Sequence, residues 1–168
     1  MTPLTWPGWR QLPAPVRAIG RWLTIVQVIA YTTSLIYVWH TTRMLPSGIA
    51  DHYRGSEAAG GAMQFPKSLG ELLTITHTHL FSMLVIFVLS GLGVTLCERV
   101  PERMKRVLVT EPFIALLVSM SAMWLTRYVH PGFGLLLELS SVVMACTFYM
   151  QSWLVLAELG LWEREAAG

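Results

Sequence analysis

Five histidines carry most of the chemistry legible in this sequence: His40, His52, His77, His79 and His130. Neutral imidazole is the commonest metal ligand and a usual axial ligand of haem iron. Their placement therefore decides what they could hold. His77 and His79 form a His-x-His pair. Positions two apart on a helix lie roughly 200° around it, so these rings point to nearly opposite sides and do not chelate one ion together. Arg43 follows His40 and Arg127 precedes His130 at a spacing that puts each arginine on its histidine's helical face, where a cation would suit a haem propionate. Glu138, close to Ser140 and Ser141, is a candidate proton acceptor for a quinol. Its competing role is an ion pair with Arg127 across the Pro131-Gly132 turn.

The elements that must position these residues are membrane helices. Of 168 residues, 54% are hydrophobic and 13% charged, about half the charged share of a soluble domain. That balance excludes most soluble enzyme classes and sequence-specific nucleic-acid binders. The formal net charge of +2 calls for no polyanionic partner. Four apolar stretches stand out: Trp22–His40, Leu69–Leu96, Pro112–His130 and Gly134–Leu159. In lipid each must be helical, because a lone strand would leave its backbone groups unpaired. Ser68 and Glu71 read as a capping box opening the second helix. Pro112 suits the first turn of the third, and Pro131-Gly132 forces a tight hairpin into the fourth. The predicted fold class is all-α: an integral membrane, up-down-up-down four-helix bundle over residues 22–168, preceded by an interfacial tail, 1–21.

Arg10, Arg17, Arg21, Arg99, Arg103, Lys105, Arg106 and Arg164 fall on one side of these spans, and Arg43, Arg54, Lys67 and Arg127 on the other. By the positive-inside rule both termini and the Cys97–Glu111 loop are cytoplasmic, and the loop Thr41–Ser68 faces the periplasm of a bacterial inner membrane. The basic residues ahead of the first span resemble those of a signal peptide. The small-x-small site Gly48-Ile49-Ala50 lies well past the apolar run, so the segment reads as a retained span. The tail, with prolines at 3, 7, 13 and 15, is expected to rest on the membrane surface or a partner subunit. The Gly/Ala-rich stretch GSEAAGGAM reads as flexible linker.

Counting about 1.5 Å per residue from the cytoplasmic edge sets the heights. His40 stands roughly 27 Å above Trp22, His79 about 26 Å above Leu96, and His130 about 27 Å above Pro112. Glu138 stands roughly 28 Å above Ala157, and His52 sits in the loop overhead. One histidine at a membrane interface is ordinary. Four at one height make a ligand-site hypothesis, since intramembrane ionisable groups are functional candidates by default. Glu-x-x-His and HExxH are absent, which disfavours a carboxylate-bridged di-iron centre and a zinc protease. Copper or zinc remains open through His40, one of His77 and His79, His130 and Glu138. Haem b fits axial ligation by His79 and His130, with His77 and His40 as substitutes and Arg127 and Arg43 at the propionates. Below the His-x-His, Ser82, Ser90, Gly91 and Gly93 would admit either a flat macrocycle or a close-packed helix.

The remaining signals are structural. Cys97 and Cys146 read as apolar fillers at different depths, without a disulfide. The methionines are scattered as core packing, and Trp22, Trp39, Trp124, Trp153 and Trp162 as an aromatic belt. RVPERMKR reads as a topogenic loop contacting anionic lipid.

Over its second and third helices the chain resembles the small four-helix b-type cytochromes of bacterial membranes. The segment THTHLFSMLVIFVLSGLG is similar to haem-ligating helices of respiratory membrane proteins, and GELLTITHTHLF to other small bacterial membrane proteins. The resemblance implies electron transfer between a quinone pool and a periplasmic partner, with His77, His79 and His130 as ligands. No second histidine layer lies near the cytoplasmic face, so one outer haem layer is expected rather than a membrane-crossing relay. The first expectation is a haem-b-binding electron-transfer subunit of a larger respiratory-type complex, in contact with other membrane subunits and the lipid bilayer. The alternatives are a cofactor-free accessory subunit of a respiratory or photosynthetic complex, a copper or zinc site for metal delivery, and a histidine-held pigment.

Overall fold

The computed structural model describes residues 7–56 and 63–160. After a 3-10 turn at Trp9–Gln11 come five helices: α1 (Ala14–Thr42), α2 (Pro46–Arg54), α3 (Leu69–Thr95), α4 (Glu102–Tyr128) and α5 (Phe133–Glu158). Among the described residues the only extended pairing is an isolated antiparallel bridge between Ser56 and Gln64. Helices α1, α3, α4 and α5 are long and apolar enough to cross a membrane. The predicted second and fourth spans agree with α3 and α5. The capping box is present: Glu71 N–H donates to Ser68 Oγ at 3.3 Å, and Ser68 N–H to Glu71 Oε2 at 2.7 Å. Trp162, Arg164, the residues 57–62 of the predicted linker and the tail residues 1–6 lie outside the described residues.

Two predicted spans start too late, for one physical reason. Hydropathy marks where a helix enters hydrocarbon, not where its backbone becomes helical. Helix α1 opens at Ala14 with Pro15 in its first turn, so Arg17 and Arg21 ride on helix rather than on a tail. Helix α4 opens at Glu102, and Pro112 sits inside it rather than at its start. An internal proline has no N–H, which leaves the carbonyl four residues back, that of Leu108, without its helical partner. Gln151 of α5 fills the gap: its Nε2 donates to Leu108 O at 2.7 Å. Its Oε1 accepts from Ser90 Oγ of α3, also at 2.7 Å. Gln151 is fully buried. A side-chain amide thus replaces a missing backbone bond and joins three helices.

Helix α2 was not expected. It is too short for a hydropathy signal, but Pro46 opens it and Ile49 and Tyr53 turn one face onto the bundle. Gly134 lets the start of α5 approach its backbone; a Cβ there would stand 2.7 Å from Pro46 O. Arg54, at the end of α2, donates to Thr126 O at 3.1 Å and Arg127 O at 3.3 Å. These are orphan carbonyls at the end of α4, where a cation is also favoured by the helix dipole.

Helix α5 touches every other helix. On it α1 docks through Tyr31, stacked on Phe148 with ring centroids 4.3 Å apart, and through Thr32 Oγ1, 2.8 Å from Tyr149 OH. At the opposite end from α2, the segment before α1 closes the bundle. Trp9 Nε1 donates to Gly93 O at 2.8 Å, and the Trp9 ring covers Gly20, where a Cβ would lie 2.5 Å from it. Arg10 and Arg99 flank the buried Glu158 carboxylate at 3.5 and 4.0 Å, and Arg21 donates to Leu159 O at 2.8 Å. This part of the tail therefore rests on the chain's own helices. The small residues of α3 serve packing: a Cβ on Gly91 would meet Val109 of α4, and one on Gly93 would meet Val155 of α5.

If Gln151 stands in for the amide that Pro112 lacks, Gln151→Leu should cost about 1–3 kcal/mol and lower the melting temperature in detergent. Adding Pro112→Ala returns an N–H to Leu108 O and should recover part of that loss. A Gln151→Leu chain that melts with the parent would contradict the clamp.

Candidate functional site at the α2 end

The histidines meet different surroundings, beginning with the pair on α3. His77 is exposed, its ring 4.9 Å from that of Phe81. His79, on the other side of the helix, is half-buried, and its Nδ1 lies 2.9 Å from Ile75 O. A carbonyl can only accept, so Nδ1 carries the proton and Nε2 keeps its lone pair. This is the tautomer in which imidazole ligates a metal, with the ring oriented by a backbone carbonyl.

His130 is arranged the opposite way. Helix α4 ends at Tyr128, short of the predicted His130, and the histidine stands exposed in the turn that follows. Its Nδ1 accepts the Gly132 N–H at 3.0 Å. In the neutral ring Nε2 then holds the proton, and no lone pair is left for iron. His40 is exposed on the last turn of α1, without a bonding partner among the described residues.

The arginines also depart from expectation. Arg43 caps α1 in the left-handed region, at φ 59°, so it does not share a helical face with His40. Arg127 Nε donates to Lys67 O at 2.9 Å, and its guanidinium lies 5.1 Å over the Tyr128 ring. It makes no ion pair with Glu138, which is half-buried without a polar partner among the described residues. Among the described residues no three His, Cys, Asp or Glu gather where they could hold a metal ion. Neither of the two cavities described is lined by a histidine. Of the proposed axial pair, His79 keeps its Nε2 lone pair and His130 commits Nδ1 to the Gly132 N–H.

Two further groups bear on the chemistry. His52 of α2 is half-buried with its ring 5.1 Å from Tyr53. Burial, and then the charge of Lys67, hold its pKa below the usual histidine value, against a smaller opposing pull from Glu71. At the other end, Cys97 is pushed up to about 12 by burial and then by Glu158, which keeps it a protonated filler. Both cysteines are free, as expected. The group that sequence reasoning missed is Glu111. Placing the helix start at Pro112 put it in a loop; in α4 it lies inside the span, both carboxylate oxygens enclosed and without a hydrogen bond among the described residues. The signal was present: continuing the helical period back to Glu102 carries Glu111 into the membrane.

Four helices long and apolar enough to cross a membrane, with exposed apolar faces, mark a multi-pass membrane protein. Residues 43–166 match the Aq_1264_TM family, described as a transmembrane helical domain, and the chain belongs to that family. No curated protein and no solved structure matches it. The cytochrome resemblance finds no counterpart in these comparisons.

The His52 environment gives a sign-definite prediction. A histidine whose folded pKa is depressed binds its proton more readily when unfolded, so stability rises with pH across its titration. Melting temperature should therefore be flat above the unfolded value of about 6.5 and fall as the pH drops below it. His52→Asn should flatten that fall, as read by thermal unfolding in detergent between neutral and mildly acidic pH. An unchanged slope would show that the acid sensitivity lies elsewhere.

Proposed function

We propose that the chain is an accessory subunit of a larger membrane complex, and that the outward side of its α2 end meets a partner subunit. The observation that supports this most is His77. It lies about 12 Å along α3 from Leu69, within a candidate span, exposed, and without a hydrogen bond among the described residues. Lipid offers an imidazole nothing to bond with, and polar side chains on membrane helices are costly unless they meet protein or water. Exposed Thr74, Thr78 and Ser82 form an i, i+4 row on α3 that starts beside His77, at Thr74, and turns away from it toward Ser82. Thr74 and Ser82 turn their hydroxyls back to their own helix, at 2.9 Å to Gly70 O and 2.8 Å to Thr78 O. Small, internally satisfied residues of this kind are what helix–helix contacts in membranes use. In this reading the bundle runs up-down-up-down in a bacterial inner membrane. Both termini are cytoplasmic, as the Lys and Arg distribution argues, and α2 lies on the periplasmic side.

Replacing His77 and Ser82 together by leucine should release the chain from its complex on native gels of mildly solubilised membranes. The isolated chain should keep its melting temperature or raise it. Identical migration of both forms as a single chain would count against a partner-facing surface.

A second reading is favoured by the tautomer of His79. We infer that any haem b or metal bound here takes His79 Nε2 as one ligand and a partner's side chain as the other. A reduced-minus-oxidised spectrum of the intact complex, with a pyridine haemochrome assay, tests it. A b-type band should be lost in His79→Ala and kept in His130→Ala. A flat spectrum from the intact complex removes haem from consideration.

A further inference from the structure

A cavity of about 170 Å³ opens between α1 and α3, near the tail end of the bundle. Trp9 closes its floor, and apolar side chains such as Ile19, Leu89 and Leu92 form most of its wall. Into this apolar space comes Gln27, only 8% exposed and without a hydrogen bond among the described residues. It lies on α1 about five residues, or roughly 7.5 Å, inside the hydrocarbon edge marked by Trp22. A side-chain amide so placed has two donors and an acceptor and no water phase to serve them. Gln151 and Glu158 nearby do have partners: Gln151 holds Leu108 O and Ser90, and Glu158 lies between Arg10 and Arg99.

The hydroxyls in the wall sharpen the picture. Thr24 Oγ1 donates to Gly20 O at 2.9 Å, Ser152 Oγ to Phe148 O at 2.9 Å and Ser90 Oγ to Gln151 Oε1 at 2.7 Å. Their protons are committed, so Gln27 Nε2 is the cavity's free donor. An occupant that brings an acceptor would satisfy it. The occupant must be uncharged, because no cationic or anionic side chain lines the space. Its size is bounded too: an apolar cavity of about 150 Å³ is enough to hold a benzene ring. The wall residues Val16, Ile19 and Leu23 are themselves exposed, so the cavity opens along the outer side of α1.

We propose that this cavity is a binding site for the carbonyl head of an uncharged, membrane-dissolved amphiphile, with Gln27 Nε2 donating to the carbonyl and the alkyl tail leaving between α1 and α3. Two sources in a membrane carry that chemistry: the ring of a quinone and the acyl ester of a lipid. The site is independent of the partner-facing histidines, and its failure would leave that reading untouched.

Binding of two chain-matched probes to the purified full chain, decyl-benzoquinone and decyl acetate, tests the site by native mass spectrometry. Gln27→Leu removes an unpartnered polar group, so it should fold at least as well as the parent and bind about tenfold more weakly. Gln27→Met serves as a second apolar replacement, and the melting temperature of each variant reports its folding. Gln27-dependent binding of the quinone alone assigns the cavity to a ring; equal, Gln27-dependent binding of both probes assigns it to any such carbonyl, ester included. Absence of binding by either probe, or binding unchanged in both folded variants, overturns the proposal.

Discussion

The backbone carbonyl of Leu108 is the constraint around which this bundle is arranged. Pro112 deprives it of its helical partner, and in hydrocarbon no water replaces the lost bond. Gln151 satisfies it from α5 and is itself held by Ser90 of α3. The three helices are thus fixed at one height and one rotation. The consequence propagates along α5. One turn away, Phe148 and Tyr149 receive Tyr31 and Thr32 of α1. On the other side of Gln151 along α5, Val155 packs on Gly93, whose carbonyl takes the Trp9 indole. Losing the amide would free the register on which these contacts depend.

The sequence carried much of this fold and less of its chemistry. Ser68 and Glu71 announced the start of α3 by local bonds that need no tertiary context, and the Pro131-Gly132 turn was equally local. Pro112 was misread because proline is excluded from helix interiors only where nothing else can satisfy the freed carbonyl. The compensating Gln151 lies far along the chain and gives no sign of its role until the helices are packed. Helix α2 was hidden by its brevity. The different surroundings of His77, exposed, and His79, half-buried, followed from helical rotation. What one sequence could not supply was the side of each helix that meets another helix. It also could not supply the turn geometry that commits His130 Nδ1 to Gly132.

The two ends of the molecule consequently differ in kind. At the tail end, polar groups are drawn inward: Glu158 between two arginines, Arg21 on a helix-end carbonyl, and Gln27 facing a small cavity. At the α2 end, Arg54 and Arg127 are spent on backbone carbonyls, and His40, His77 and His130 are left exposed. The bundle thus draws its polar groups inward at one end and leaves histidines exposed at the other.

The decisive measurement is photocrosslinking from position 77 in native membranes, with a benzophenone amino acid there and a control at Leu139 on the outer surface of α5. A neighbour at the α2 end predicts a discrete protein adduct from position 77, absent from position 139. Lipid adducts alone from both positions would contradict it, and His77 would then face the bilayer.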